Sequence, residues 1–231
     1  MNLSSLGFFR SLRQGNHQFA VIGLGRFGRA VCSTLYHLGY DVLATDIDEK
    51  RVSQVLTDQI AAHAVQLDST QPTALREAGV FEFDTVIIAI GNYLEESIIT
   101  TLNVKEGGVP HVVAKASSEV HFKLLQKVGA DHVVFPEYEA GCALARSLTK
   151  PAILDRFDLD PDNSIVEIIV PDEFHGKTIA DLKLRTRFGL NLIAVSHNGK
   201  FVINPEPNDR LEKGCAMVVI GSNRDINRLP I

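Results

Sequence analysis

A run that reads as a buried strand, Phe19-Ala20-Val21-Ile22, leads directly into Gly23-Leu24-Gly25-Arg26-Phe27-Gly28 and then into an amphipathic helical pattern ending near Leu38. The glycines permit a tight turn, close backbone approach to a phosphate and close helix–strand contact, while the amides at the helix start form an anion site. The combination points to a nucleotide. Arg26 and Arg29 are unusual in that first turn, because the helix dipole disfavours a cation there by a few tenths to about 1 kcal/mol. A polyphosphate reaching Arg26 offsets that cost better than the diphosphate of a dinucleotide does; the competing reading has Arg26 pointing into water.

From Gln18 to about Val134 short β-branched runs alternate with longer helical patterns, the signature of a doubly wound parallel, Rossmann-like α/β sheet. Strands are expected at Phe19 to Ile22, Asp41 to Thr45, Ala64 to Leu67, Thr85 to Ala89, His111 to Ala114 and His132 to Phe135. Helices are expected near Arg26 to Leu38, Glu49 to Leu56, Thr73 to Ala78, Leu94 to Glu106 and Glu119 to Val128, with Gly39, Gly79, Gly107 and Gly129 as stops. Pro136 to Leu148 reads as a further helix whose Ala140, Ala143, Leu144 and Leu148 form a small-residue apolar stripe suited to close packing.

The polar, turn-rich stretch Asp155, Asp158, Asp160, Pro161, Asp162 then marks a domain boundary. Beyond it the expected elements are a strand at Ser164 to Val170, a short helix at Ile179 to Leu184, a hairpin of Leu190 to Val195 and Lys200 to Ile203 across Asn198-Gly199, and a closing strand at Ala216 to Ile220. The expected organisation is an N-terminal arm (1–16), a nucleotide-binding domain (17–135), a crossover helix and linker (136–156) and a small C-terminal α+β domain (157–231). In the arm, Leu3, Leu6, Phe8, Phe9 and Leu12 read as a partner contact or as a frayed terminus.

A net charge of −5 and the lack of a basic run with interleaved aromatics argue against nucleic acid. No stretch approaches a membrane span, and even the run Thr85 to Ile90 is strand-length, so a membrane role must come through a partner. Cys32, Cys142 and Cys215, odd in number and each in apolar sequence, fit buried thiols in the cytoplasm.

Ligands of open α/β sheets bind at the carboxyl ends of the strands. Asp46 ends the second strand at about the spacing from Gly28 at which a carboxylate accepts from ribose hydroxyls and repels a 2′-phosphate. A helix cap is the alternative for Asp46, although Asp48 already fills that place. After the third strand comes Asp68-Ser69-Thr70, where Ser69 or Thr70 reads as a cap and Asp68 reads equally as a partner of an adenine amino group. Gly91-Asn92 follows the fourth strand, as a site of backbone approach or as an ordinary turn. Lys115 ends the fifth strand and Glu137 follows the sixth, both reading as solvated charges when taken alone. No GxSxG elbow, P-loop or Tyr-xxx-Lys pair occurs, so the chain does not read as an enzyme.

Taken together, Gly23 to Gly28 with Arg26 inside it, Asp46, Asp68-Ser69-Thr70, Ile90-Gly91-Asn92, Val113-Ala114-Lys115, Gly129-Ala130-Asp131 and Val134-Phe135-Pro136-Glu137 resemble the cytosolic regulatory subunits of Ktr and Trk potassium-uptake systems. The likeness continues through Gly176-Lys177-Thr178-Ile179, Phe188-Gly189-Leu190 and Pro205-Glu206-Pro207. It implies a nucleotide-binding RCK N domain and a smaller RCK C domain, assembled as a homo-oligomeric ring beneath a membrane-embedded potassium-translocating subunit at the cytoplasmic face of the plasma membrane. It also implies ATP and ADP as ligands held by Gly23, Gly25, Arg26, Phe27, Gly28, Asp46, Asp68, Ser69, Gly91, Asn92, Lys115 and Glu137. Arg26 would sense the γ-phosphate, with Glu137 near it across a subunit contact and Mg²⁺ joining them. The rival reading is an NAD(H)-binding protein, a redox-responsive Trk-type regulator or a small oxidoreductase. Some relatives bind cyclic di-AMP in the C-terminal domain; Lys183, where Asn is frequent, counts against that ligand here.

Overall fold

Hydrophobic residues at nearly every position of a strand demand cover on both faces, and the first strand has it: Ala20 and Ile22 join one apolar cluster while Val21 joins another. A computed structural model describes residues 17–149, 151–197 and 199–230. These divide into two units, one extending through Glu139 and one beginning at Ala140. The expected N-terminal arm and Asn198 of the expected hairpin turn lie outside the described residues.

The first unit contains β1 (Phe19–Ile22), α1 (Arg26–His37), β2 (Val42–Asp46), α2 (Glu49–Thr57), β3 (His63–Gln66), α3 (Pro72–Glu77), β4 (Thr85–Ile88), α4 (Leu94–Glu106), β5 (His111–Lys115), α5 (Glu119–Lys127) and β6 (His132–Val134). The six strands are all parallel in the order β3-β2-β1-β4-β5-β6. Strand order therefore reverses between β1 and β4, the switch point at which the loops after the two strands splay apart and open a crevice. Ile22 is registered with Thr45 of β2 on one side and Ile88 of β4 on the other, so the fingerprint turn begins at the sheet's central carboxyl edge. Ala20, Val21, Ile22, Val86 and Ile88 are 0–2% exposed. Each large aliphatic side chain buried this way contributes roughly 1.5–3 kcal/mol, which makes the floor of the crevice rigid.

Gly39, Gly79 and Gly129 adopt positive φ after their helices as the sequence reading expects, but after α4 the left-handed residue is Gly108. Gly107 keeps φ near −66° and lies against the Phe81 ring, where a side chain would collide.

The second unit is a five-stranded sheet, β10-β9-β11-β8-β7, built from β7 (Ile153–Asp158), β8 (Asn163–Ile169), β9 (Asn191–His197), β10 (Lys200–Ile203) and β11 (Ala216–Ser222). The helix α6 (Pro136–Thr149) precedes it in sequence, and α7 (Ile179–Leu182), α8 (Leu184–Phe188) and α9 (Asn223–Ile226) are short. The single helix expected at Ile179 to Leu184 is broken by Lys183, which sits in the left-handed region at φ 48°.

Residues 153–158, expected as part of a linker and boundary, instead pair antiparallel with β8. The charges that suggested a linker close a network: Arg156 donates to Asp158 (2.6 Å), Ser164 (2.9 Å) and Asn223 (2.7 Å). The turn itself is where the polar stretch places it, with Asp160 accepting from the backbone N–H groups of Asp162 and Asn163. Those hydrogen bonds, Asn163's side chain foremost, hold the Asp160 carboxyl below its ordinary range.

Of the three cysteines only Cys32 is fully buried; Cys142 and Cys215 are partly exposed, because their flanking apolar residues do not cover them. Burial pushes the Cys32 thiol up to about 12, so it stays protonated and inert.

Candidate functional site

The crevice is lined first by the fingerprint. Gly23, at φ 97°, occupies a backbone region that L side chains rarely adopt. A Cβ there would stand 3.1 Å from the Ala89 carbonyl carbon after β4. The first α1 hydrogen bond runs from Arg29 N–H to the Gly25 carbonyl (2.9 Å). Gly25 is the N-cap, no side chain caps this helix, and its first turn carries no acid. Whereas α2 is capped by Asp48 through Lys50 N–H and α5 by Ser118 through His121 N–H, α1, like α3 and α4, starts without a side-chain cap, so its first amides are left to a ligand or to water.

The two arginines of that turn differ. Arg29 is paired with Asp58 at 2.5 Å. Arg26 is exposed, and its charge reaches Glu137.

At the ends of β5 and α6 the two charges that read as solvated are joined: Lys115 Nζ donates to Glu137 Oε1 at 2.6 Å. Lys115 is only 12% exposed and Glu137 65%. The ammonium also lies 5.8 Å from the centre of the Phe27 ring, a cation–π contact. A Cβ on Gly91 would come within 2.9 Å of the same nitrogen, so Gly91 lets Lys115 lie along the backbone after β4. The hydrogen bond from Lys115 is the main cause that draws the Glu137 carboxyl below its usual range; burial opposes it, and the charges of Lys115 and Arg26 add to it. Arg26, Phe27, Gly91, Lys115 and Glu137 therefore form one cluster at the carboxyl edge. Asn92, next to it in the chain, is exposed.

On the other side of the switch point Asp46 is 5% exposed. Its Oδ2 accepts from Leu24 N–H (2.6 Å) and from Arg51 Nη1 (3.3 Å), and its Oδ1 from Asp48 N–H (2.9 Å). The carboxylate thus ties β2 to the fingerprint turn. Arg51 is the functional candidate that sequence reasoning missed, although its i,i+3 spacing from Asp48 was a usable signal.

Ser69 and Thr70 depart from expectation. Neither Ser69 nor Thr70 caps α3, whose N-cap is Gln71 without a side-chain bond and whose first turn contains Pro72. Ser69 instead bonds Thr100 Oγ1 of α4 at 2.7 Å, a buried tertiary contact that outcompetes the local cap. Asp68 Oδ1 accepts from Thr70 N–H (3.0 Å) and Thr70 Oγ1 (2.7 Å).

Among the described residues no group of three or more His, Cys, Asp and Glu side chains is placed to hold a metal ion. Glu137, the metal candidate, is already ion-paired with Lys115, so the described residues of one chain do not fit a divalent-cation site.

Residues 19–136 match the TrkA-N domain family and residues 165–229 the TrkA-C domain family. The chain is 38% identical over 213 residues to Ktr system potassium uptake protein A of Bacillus subtilis (strain 168), covering 92% of this chain and 95% of that one. The chain belongs to the Ktr/Trk potassium-uptake family. It is also 39% identical over 211 residues to Ktr system potassium uptake protein C of the same organism, covering 91% of this chain and 95% of the relative. Among solved structures, the GsuK channel bound to NAD aligns with this Ktr/Trk chain at a TM-score of 0.61 and 18% identity. That alignment spans 96% of this chain but 42% of the channel chain, and shows the shared fold. No helix among the described residues of this Ktr/Trk chain is long and apolar enough to cross a membrane.

Proposed function

We propose that the chain is a non-enzymatic, nucleotide-sensing subunit that gates potassium uptake by a separate membrane-embedded subunit, with ATP and ADP bound at the carboxyl edge of the parallel sheet. The observation that carries this reading is the uncapped start of α1 with exposed Arg26 beside the Lys115–Glu137 pair. A phosphate chain held by the α1 amides and extended past them meets Arg26 and Lys115. Asp46 stands at the opposite end, where a ribose would lie. A longer phosphate chain reaches more positive charge, which is the differential contact a sensor needs.

Lys115 is held by Glu137, so a phosphate competes with that carboxylate for the ammonium. Mg²⁺ is not needed for this step, and the described residues of one chain bring no group of three donors together for it. A second copy supplying its own Glu137 is the arrangement the ring implies.

Thermal stabilisation and calorimetry with ATP, ADP, NADH and cyclic di-AMP test the ligand. ATP and ADP should bind and NADH more weakly, and no steady NAD(P)H-linked turnover should appear with small carbonyl substrates. Tighter NADH binding with turnover would replace this reading by that of an oxidoreductase. NADH binding without turnover would favour a redox-responsive regulator.

The assembly is expected to be a homo-oligomeric ring using α6, on which Leu144 and Leu148 are 60% and 73% exposed. Apolar positions of that size bury well against a second copy. Small-angle scattering should show an oligomer whose envelope differs between ATP and ADP, since a ligand with equal contacts in both shapes shifts no equilibrium. A monomer, or one envelope with either nucleotide, would refute gating by a ring.

A further inference from the structure

The Asp46 carboxylate offers about four acceptor positions, and three are filled within the chain: Leu24 N–H at 2.6 Å, Asp48 N–H at 2.9 Å and Arg51 Nη1 at 3.3 Å. The two amides belong to the turns that this carboxylate braces, and they stay with the fold. Arg51 is different. Its side chain is 50% exposed, it is anchored only at its head, and its Nε lies 3.7 Å from Asp48 Oδ2. A guanidinium clasped by two carboxylates at the ribose end of a nucleotide crevice has its fork already engaged. Released from them, its planar fork is suited to a phosphate.

We propose that Arg51 is the specificity-determining residue of the ribose end. Clasped by Asp46 and Asp48, it leaves one acceptor position on Asp46 for a free 2′-hydroxyl, keeps its fork turned away from a 2′-phosphate, and offsets only part of the charge of the two carboxylates. Freed from Asp46, it receives that phosphate. The inference rests on the proposal that this crevice holds an adenine nucleotide. It makes the preference a property of the Asp46–Arg51 pair, where the sequence alone assigns it to the repulsion of Asp46.

The test compares ADP with 2′-phospho-ADP by calorimetry on the full chain, reading the ratio of the two affinities. In the native protein ADP should be favoured by at least roughly a hundredfold, because two carboxylates against one guanidinium leave this end net negative and like-charge juxtaposition costs several kcal/mol. Asp46→Ser, which keeps a hydroxyl acceptor for the Leu24 amide, should reduce that preference by at least about tenfold. Adding Arg51→Ala to it should abolish the gain. Arg51→Ala alone, at a half-exposed position that the fold tolerates, should steepen the native preference for ADP by about tenfold, since the cation beside the 2′-position is gone.

A gain that survives without Arg51, or a ratio that Arg51→Ala leaves unchanged, overturns the proposal; if Asp46→Ser does not fold, the single Arg51→Ala decides it. A native chain that binds no ADP removes the nucleotide reading and this inference with it. Native ADP binding with an unresponsive ratio removes this inference alone.

Discussion

Arg26→Ala should weaken ATP by roughly ten- to a hundredfold while changing ADP by less than about threefold, because a charge-assisted contact that is partly desolvated is worth about 1.5–3 kcal/mol. In the proposed binding mode the α1 amides would hold whatever phosphates lie nearest the fingerprint, and only a third phosphate would extend far enough to require Arg26. The side chain is exposed and opens its helix, so its removal should leave the fold within about 0.5 kcal/mol of native. The effect is then read as affinity and not as unfolding. It follows that the variant should also lose the difference in scattering between ATP and ADP, since the differential contact behind it has gone. Equal losses for both nucleotides by calorimetry would make Arg26 a general phosphate anchor and would transfer the sensing role to another group.

The parallel sheet was legible because its strands are continuous apolar runs separated by helical patterns, and residues such as Val21 and Ile88 are 0% exposed for the reason those runs predict. What escaped was whatever depends on partners distant in sequence. The charges of 155–158 resemble a linker until Ser164 and Asn223 arrive to bind Arg156. Ser69 resembles a helix cap until Thr100 takes its hydroxyl. Lys115 and Glu137 are 22 residues apart and meet because β5 and β6 run side by side and deliver their following residues to one edge. Position along a strand could place Asp46 at the crevice. It could not show that the Leu24 amide and Arg51 share the carboxylate, since the first comes from the neighbouring turn and the second from a helix whose orientation the sheet decides.

Gly25→Ala and Gly28→Ala should separate ligand from fold at the same fingerprint. Gly25 has φ −69°, which alanine adopts without strain, and a Cβ there meets nothing within 4 Å. The variant should therefore melt close to the native chain when no nucleotide is present, losing under about 1 kcal/mol as a poorer N-cap. A phosphate drawn onto the α1 amides needs that same open space. Crowding it with a methyl group costs about 1–3 kcal/mol, so ATP and ADP should both weaken by roughly ten- to a hundredfold. At Gly28 a Cβ would overlap the Gly23 carbonyl oxygen and stand 3.1 Å from Ala89 Cβ, so α1 must shift off the β1 turn. Gly28→Ala should accordingly lose about 1–3 kcal/mol of stability before any ligand is added, and lose nucleotide binding with it. Melting curves with and without ATP and ADP distinguish the two. A Gly25→Ala chain that binds both nucleotides with native affinity would mean that the phosphates do not approach the fingerprint backbone, and the crevice at the β1–β4 switch point would no longer be the nucleotide site.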